Sequence, residues 1–350
     1  MKEVKTIQYA RGFAAVMVVL HHLFSTRGLE YLFQPRLGQL GVDIFFVISG
    51  FIMWHTTAGT AVSPLVFWRR RIVRVVPLYW LFLSAMVGAA LFAPQLFNTT
   101  VVTPENVLKS YLFIPHYHVV QKDIIAPILI PGWSLNYEMF FYLLFGLALF
   151  VESRVLRAAM MTAILLALVG AGALVQTTRA IALTYTSSEL LKFLDGIILA
   201  LLYGSRQPSK PVFGLCLVLV GLAVRLVGVS AAFDGFDNFV GLSPTLIVAG
   251  SLALEQTVRR APNAFLHMVG DASYSIYLSH LFFLRATELG WRRFAGFGAK
   301  ADDAVYCILA LVVAIAAGIA VYQTVERPIL RFFQKRGAPS PVELVGAKSV

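Results

Sequence analysis

The stretch that decides the fold class is AVYCILALVVAIAAGIAVYQTV, residues 304–325, which carries no charged side chain over 22 positions. A helix rises about 1.5 Å per residue, so about 20 apolar residues match the hydrocarbon thickness of a bilayer. No water is present at that depth to satisfy an exposed backbone, and only a helix or a closed barrel satisfies it internally. The stretch is therefore predicted to be a transmembrane helix.

Comparable apolar runs recur along the whole chain. Of its 350 residues, 58% are hydrophobic and 13% are charged, whereas soluble domains carry about 25% charged residues. The alternating pattern of a membrane β-barrel is absent from the sequence. We therefore predict an all-α integral membrane protein with about ten transmembrane helices in one bundle, at 7–25, 38–57, 76–93, 133–151, 157–175, 188–203, 211–229, 240–257, 273–290 and 304–325.

The positive charges orient these predicted spans. Ten spans place both termini on one side, and 17 of the 29 Lys and Arg residues fall on that side against 8 on the other. Basic residues accumulate in cytoplasmic loops, so both termini are predicted to be cytoplasmic. Residues 1–336 then form one transmembrane domain, the proline-containing segment 94–132 forms an irregular outer cap, and 337–350 form a flexible cytoplasmic tail.

The same distribution explains the net charge of +11. Basic residues lie mostly in short loops between apolar runs, which is a signal of membrane topology. Nucleic acid is therefore not expected as a partner. Cys216 and Cys307 both lie inside apolar runs, where a cysteine behaves as a small hydrophobe, and neither a disulfide nor a metal site is expected.

Ionisable side chains inside the spans are costly in a bilayer and mark candidate functional sites. Arg11 and His22 of the first span are eleven positions apart, which brings them within about 20° of one helix face and about 16 Å apart along the axis. His21 lies about 80° away from that face, so the periodicity favours His22. The alternative is that Arg11 reaches the lipid headgroups and the histidines pack within the bundle.

Two carboxylates are predicted at the depth of His22. Asp43 of the second span and Glu138 of the fourth both lie toward the outer surface, so the three side chains are expected to converge in one layer. A carboxylate can fix the tautomer of an imidazole and raise its basicity, which a general base requires. The alternative is a structural ion pair between helices, and spacing alone favours neither.

A run of arginines precedes the third span, in WRRRIVRVVPLYW at residues 68–80. Arg71 and Arg74 are three positions apart and share a helix face. Arginines at a helix start suit a phosphate-rich ligand, because the guanidinium makes charge-assisted hydrogen bonds to phosphate oxygens. The alternative is a topology signal or contact with lipid headgroups.

The ninth span places three polar side chains on one face, Ser273, Tyr277 and His280, within SYSIYLSHLFFL at residues 273–284. Their spacing of four and three positions follows the helical repeat. Small polar residues and histidines commonly make hydrogen bonds between membrane helices. This face is therefore predicted to be a hydrogen-bonding seam.

Six strings occur in one order from residue 11 to 328, namely RGFAAVMVVLHH at 11–22, GVDIFFVISGF at 41–51, RRRIVRVVPLYW at 69–80, PGWSLNYEMFFYL at 131–143, DASYSIYLSH at 271–280 and VERP at 325–328. Together they resemble the acyltransferase-3 family of bacterial membrane proteins. The likeness is best to its stand-alone exopolysaccharide and O-antigen acetyltransferases. Each string alone is a weak signal, whereas six in order cover nearly the whole chain.

The resemblance implies an activity and a location. It implies an O-acyltransferase of the bacterial inner membrane that moves an acyl group, usually acetyl, from acetyl-CoA to a hydroxyl of an exopolysaccharide, O-antigen or other surface glycan. The implied partners are the lipid bilayer, acyl-CoA and the glycan acceptor, and no metal is expected. One alternative is a transporter or flippase of a sugar or lipid-linked saccharide, since buried charges also mark substrate paths. Another is a non-catalytic assembly subunit of a polysaccharide machine.

The resemblance also implies roles for the residues singled out above. Matching its motifs onto this sequence gives three donor-binding residues, Arg11, Arg71 and Arg74. It gives three residues of the catalytic group, His22, Asp43 and Glu138. His22 would act either as a general base or as the carrier of the acyl group.

Overall fold

The computed structural model describes residues 3–26, 35–59, 62–93, 100–203, 211–227, 231–293 and 299–336. These residues are predominantly helical, and β-type pairing among them is limited to one antiparallel bridge between Tyr117 and Ile125. The predicted flexible tail, residues 337–350, lies outside them.

Sixteen α-helices follow one another along the described chain. They are α1 (Lys5–Thr26), α2 (Pro35–Thr57), α3 (Pro64–Phe92), α4 (Pro104–Tyr111), α5 (Trp133–Ala148), α6 (Arg154–Leu174), α7 (Ala180–Tyr185), α8 (Glu189–Leu202), α9 (Pro211–Val227), α10 (Ala231–Val240), α11 (Leu242–Ala253), α12 (Glu255–Arg260), α13 (Ala264–Asp271), α14 (Ser273–Trp291), α15 (Ala299–Val321) and α16 (Arg327–Arg336). A five-residue π-helical turn, Tyr322–Glu326, joins α15 to α16.

The all-helical class is confirmed, but the number of ten spans is not. Each predicted span coincides with a helix, yet four described segments are long and apolar enough to cross a membrane: Leu37–Thr57, Pro64–Phe92, Arg154–Leu174 and Asp303–Phe333. A fifth arises if α10 and α11, bent by 57°, are counted as one span. The other helices fall short for two reasons. Polar side chains interrupt α1 and α14, and α5, α8 and α9 have 16, 14 and 17 residues.

The helix α2 lies at the centre of the bundle, since 83% of its apolar window is buried, against 22% for α6 and for the segment containing α15. Its crossing with α8 depends on two glycines. A Cβ added at Gly50 would lie 2.0 Å from the carbonyl oxygen of Phe193, and one at Gly196 would lie 2.0 Å from that of Val47. Only a residue without a side chain permits this approach.

The described part of the predicted cap, residues 100–132, is more ordered than the proline content suggested. Thr103 begins α4 with a capping box, in which its hydroxyl accepts from the Asn106 N–H and the Asn106 side chain accepts from the Thr103 N–H. The cap is fastened to α3 by the Tyr79 hydroxyl, which donates to the Ser110 carbonyl at 3.1 Å, and by the Trp80 indole, which donates to the Tyr111 carbonyl at 2.9 Å.

Candidate active site

A cavity rich in arginine opens at the end of the bundle where α3 begins. The first turns of α3 bring Arg69, Arg70, Arg71 and Arg74 together with Arg11 of α1 around a volume of about 570 Å³. Asp271 is its single acidic lining residue. We call this space the arginine cavity. Its excess of guanidinium groups suits an anionic ligand.

Within this cavity, Arg71 and Arg74 have different surroundings. The Arg74 guanidinium forms an ion pair with Glu326, a carboxylate that is 2% exposed and also accepts from the Ser275 hydroxyl. Arg71 forms no ion pair within the described residues, and its buried Nε has no hydrogen-bond partner there. Its guanidinium lies 5.7 Å from the Phe67 ring centre. Arg71 is therefore not neutralised by an ion pair in the described structure.

The arginine cavity leads to a second, narrower cavity of about 110 Å³ between the helices. Both are lined by Arg11, Arg71 and Arg74. The remaining wall of this deep cavity is mostly apolar and aromatic, with Phe45, Phe46, Ile48, Ile52, Met53, Leu135, Tyr142, Tyr274 and Tyr277. Arginines at one end and apolar side chains beyond them fit a ligand with a charged head and a thin arm.

Glu138 also faces the deep cavity. Its carboxylate accepts from the Ser49 hydroxyl at 2.8 Å and from the Tyr142 hydroxyl. Glu138 is thus brought together with the arginines. No contact between Glu138 and His22 occurs in the described structure.

His22 lines a third cavity of about 430 Å³, at the end of the bundle opposite the arginines. We call this space the histidine cavity. Neither ring nitrogen of His22 has a hydrogen-bond partner within the described residues, so both remain available to a substrate. The neighbouring His21 lies against α2, where a Cβ added at Gly38 would lie 2.2 Å from the His21 ring. A glycine at position 38 is therefore what makes room for His21.

The ring nearest to His22 on another helix is His280 of α14, with the two ring centres 5.0 Å apart. His280 is fully buried, its Nδ1 lies 2.7 Å from the Tyr277 carbonyl oxygen, and its Nε2 has no partner in the described structure. Nδ1 therefore carries the proton that the carbonyl accepts, which leaves a lone pair on Nε2. The sequence pattern indicated only a polar seam here and missed the histidine pair.

Asp43 is not beside His22, and the predicted convergence of Asp43, Glu138 and His22 in one layer is not found. The Asp43 carboxylate is 1% exposed and forms ion pairs with Lys192 of α8 at 3.0 Å and Arg225 of α9 at 3.1 Å. The physical reason is that a carboxylate buried this deeply requires cations beside it, and α8 and α9 supply them.

This buried network continues on both sides of Asp43. Lys192 also pairs with Glu189 at 2.7 Å, and Arg225 pairs with Asp237 at 3.0 Å. Glu189 and Arg225 line the histidine cavity as well. Asp43 thus holds part of the cavity wall in place and does not itself line the cavity.

Tyr277 is the residue shared by the deep cavity and the histidine cavity. Its hydroxyl donates to the Pro131 carbonyl at 2.7 Å and lies 2.8 Å from the Ser134 hydroxyl. Three cavities therefore follow one another through the bundle. The first and second cavities share Arg11, Arg71 and Arg74 in their lining, and the second and third share Tyr277.

One group of residues in the described structure has the composition of a metal site, Glu3, His267 and Asp271. Glu3 approaches Nε2 of the imidazole at 3.3 Å, and Asp271 approaches Nδ1 at 3.3 Å. Because each carboxylate faces a different ring nitrogen, the arrangement suits two separate polar contacts to the imidazole better than chelation of one ion.

Comparison with known proteins gives several matches. A family model described as an acyltransferase domain matches residues 4–323. The exopolysaccharide production protein ExoZ of Rhizobium meliloti (strain 1021) is 37% identical over 297 residues, covering 84% of this chain and 90% of that protein. The acyltransferase MdmB of Streptomyces mycarofaciens is 25% identical, covering 95% and 94% of the two chains. The O-acetyltransferase OatA of Staphylococcus aureus (strain NCTC 8325 / PS 47) is 27% identical over 40% of this chain and 23% of its own length. No solved structure gives a significant match.

Proposed function

The chain belongs to the acyltransferase-3 family and is an O-acyltransferase, and from this premise we propose that it moves an acetyl group from acetyl-CoA to a hydroxyl of a surface glycan. Membership decides between the two interpretations of the buried charges in favour of an enzyme over a transporter. The names of two relatives support the finer assignment, one an exopolysaccharide production protein and the other an O-acetyltransferase. The observation that carries the proposal is the succession of cavities from the arginines to His22.

The arginine cavity provides the site for the head of coenzyme A. Arg11 and Arg71 make charge-assisted hydrogen bonds to its phosphates, and Arg74, which is paired with Glu326, adds positive charge to the same wall. The apolar wall of the deep cavity receives the pantetheine arm. Arg11 and His22 lie about 16 Å apart along α1, so the arm must pass Tyr277 to present its thioester at His22. Glu138 and Tyr142 line the narrow part of this route.

His22 acts as the general base at the end of that route. It removes the proton from the acceptor hydroxyl, whose oxygen attacks the thioester carbonyl carbon as the bond from carbon to sulfur breaks. The departing thiolate receives that proton. The competing route passes the acyl group through His22 itself, and it predicts labelled protein when acetyl-CoA is supplied without an acceptor.

The charge bias supports an orientation for this reaction. With both termini in the cytoplasm, the arginine cavity faces the compartment that supplies acyl-CoA. The histidine cavity then opens toward the outer surface of the inner membrane, where surface glycans are assembled or presented.

The test of the proposal compares His22→Ala with His21→Ala in purified protein reconstituted in nanodiscs. We expect His22→Ala to lower the rate of acetyl transfer about 10²–10⁴-fold, the usual contribution of a general base. Acetyl-CoA binding should be retained. His21→Ala is the matched control and should keep most of the activity. Full activity in both variants would refute the mechanism. Loss of activity in His21→Ala alone would assign the role of general base to His21 instead of His22.

A further inference from the structure

The histidine cavity has the properties of a built binding site. Its volume of about 430 Å³ falls within the range of small-molecule sites, about 300–1,000 Å³. His22 lines it with both ring nitrogens unpartnered in the described structure. The remaining lining includes one large aromatic residue from α5, Trp133, and polar residues from α8, α9 and α10.

The polar part of the wall is fixed from behind by buried ion pairs. Arg225 forms ion pairs with Asp43 at 3.1 Å and with Asp237 at 3.0 Å. It also donates a hydrogen bond to the Asn238 side-chain oxygen. This last contact leaves the Asn238 amide nitrogen without a partner among the described residues. Asn238 therefore presents a donor in a fixed position, and such a rigid group loses little entropy when it binds a ligand.

The charges of this wall disfavour an anionic ligand. Two charged groups of the network line the cavity, Glu189 and Arg225. Behind them, Glu189 pairs with Lys192, and Arg225 pairs with Asp43 and Asp237. The exposures of Glu189 and Arg225 also differ. The Arg225 side chain is 2% exposed, whereas that of Glu189 is 19% exposed. Because Arg225 is already paired with two carboxylates, a negative charge in the cavity would find no free cation in this network to stabilise it.

The aromatic part of the wall suits a sugar ring. Trp133 makes only edge-on contacts with Phe46 and Tyr137, at interplanar angles of 89° in both cases. Its indole N–H has no hydrogen-bond partner within the described ranges. An apolar ring with a free donor, beside an amide and two imidazole nitrogens, offers one flat face and several hydrogen bonds to a polyhydroxylated molecule.

We propose that the histidine cavity is the acceptor site and that it takes an uncharged sugar ring, placed against Trp133 with one hydroxyl at His22 and another at the Asn238 amide. This inference rests on the proposed function and adds the acceptor's chemical class and its contacts. In the reaction, the hydroxyl oxygen at His22 forms its bond to the acyl carbon, His22 takes the hydroxyl proton, and the coenzyme A sulfur leaves and is reprotonated.

The experiment uses the full chain in nanodiscs with labelled acetyl-CoA and two probes, p-nitrophenyl β-glucoside and p-nitrophenyl β-glucuronide. The probes share a ring and an aglycone and differ in one carboxylate. We expect transfer to the glucoside and at least about tenfold less to the glucuronide. Glu189→Gln removes the negative charge that lines the cavity and should narrow the difference in transfer between the two probes.

Two substitutions test the contacts. Trp133→Leu should raise the KM for the glucoside about tenfold or more, as truncation of a central aromatic contact does, and Trp133→Phe should restore much of it. Asn238→Ala should raise the same KM about 3- to 10-fold, the effect of one lost hydrogen bond. The Kd for acetyl-CoA should not change. Trp80→Leu, at an exposed tryptophan on α3, is the matched control. It loses the hydrogen bond to the Tyr111 carbonyl and should keep the wild-type KM for the glucoside.

The outcomes separate the site from the function it rests on. Unchanged glucoside KM in both Trp133→Leu and Asn238→Ala overturns the proposed contacts. Equal transfer to both glycosides, or transfer to neither with intact acetyl-CoA binding, overturns the acceptor class. Absence of acetyl-CoA binding in the wild-type protein would instead refute the proposed function. Thermal unfolding of each variant, compared with wild type, shows whether a change in KM or in transfer comes from misfolding.

Discussion

Among single residues, Arg71 and Arg74 show how two similar side chains acquire different tasks. The charge of Arg74 is balanced by Glu326 across the bundle, whereas that of Arg71 is not balanced by an ion pair in the described structure. A guanidinium without a protein counter-ion is the stronger attractor for phosphate. A carboxylate that loses its cation in a buried position destabilises the fold.

We therefore expect Arg71→Ala to weaken acetyl-CoA binding, about tenfold at low salt for one lost charge-assisted contact, with little change in the unfolding temperature. Arg74→Ala should lower the unfolding temperature by several degrees, and adding Glu326→Gln should recover much of it. The measurements are equilibrium binding and differential scanning fluorimetry. The binding defect of Arg71→Ala should shrink as salt rises, because salt screens charge pairs. Equal binding of coenzyme A and dephospho-coenzyme A by wild type and Arg71→Ala would leave Arg71 as a topology signal.

The sequence predicted the position of His22 on its helix but not its neighbours. One helix has a fixed repeat, so the shared face of Arg11 and His22 follows from their spacing. The partner of Asp43 follows from no local rule, because Arg225 lies 182 positions away. The sequence placed His280 on a polar helix face. Only the packing of α14 against α1 shows that the His280 ring lies beside the His22 ring.

Among the helices, the crossing of α2 and α8 carries the most constrained packing. Gly50 and Gly196 permit the approach that places Lys192 beside Asp43. The sequence showed both glycines, but nothing in it indicated which helices they bring together. The sequence also gave no sign of the 57° bend between α10 and α11. The bend lies at Gly241, whose φ of 70° is a left-handed conformation that glycine adopts readily.

We expect Gly196→Ala to destabilise the protein by about 1–3 kcal/mol, the usual cost of overpacking, because the new methyl would overlap the Val47 carbonyl. Gly170→Ala in α6 is the matched control, since a Cβ there would meet nothing within 4 Å. That substitution should be neutral or stabilising by up to about 1 kcal/mol, because alanine favours helix. Chemical unfolding in detergent compares the two. Equal stability of the two variants would contradict the close crossing.

The cap should respond to acid. Burial lowers the pKa of His116 and of His118 below the ordinary value of 6.5, and His118 Nδ1 accepts from the Gln121 N–H at 3.1 Å. An unfolded cap binds protons more readily than a folded one, so its stability is fully present above about pH 6.5 and declines as the pH falls below that value. Protonated Nδ1 would also lose its hydrogen bond.

Amide hydrogen exchange over residues 112–129, corrected for the intrinsic rate at each pH, measures this effect. We expect protection to fall between about pH 6.5 and pH 5, with helices of the central bundle unaffected. His118→Asn, which keeps an acceptor and does not titrate in this range, should flatten the response. A pH-independent protection pattern in the wild-type protein would show that the two histidines do not govern the cap.

At the scale of the whole molecule, the order of the motifs along the chain was sufficient to predict the family, whereas the arrangement of the cavities was not. Apolar runs report where helices occur, but they do not report which helix faces meet. Residues of α1, α2, α3, α5 and α14 line these cavities, with further lining residues from α8, α9, α10, α13 and α16. Their succession therefore appears only after the bundle is assembled.

The orientation of the bundle is testable with two matched substitutions, Glu105→Cys in the cap and Glu152→Cys between α5 and α6. Both positions are exposed, and Cys216 and Cys307 are first replaced by alanine. In intact cells, an impermeant maleimide should label position 105 and should label position 152 only after the membrane is opened. The reverse pattern would place the arginine cavity outside and would contradict the proposed orientation.

The position of Tyr277 has an electrical consequence. A water-filled passage from the arginine cavity to the histidine cavity would let ions run down the membrane potential, in which each elementary charge is worth about 2.3 kcal/mol per 100 mV. The Tyr277 ring, anchored at Pro131 and Ser134, keeps the two halves of that passage apart. In the proposed reaction the pantetheine arm fills the passage as it passes Tyr277, so an uncharged acyl group reaches the far side while no water-filled path opens for ions.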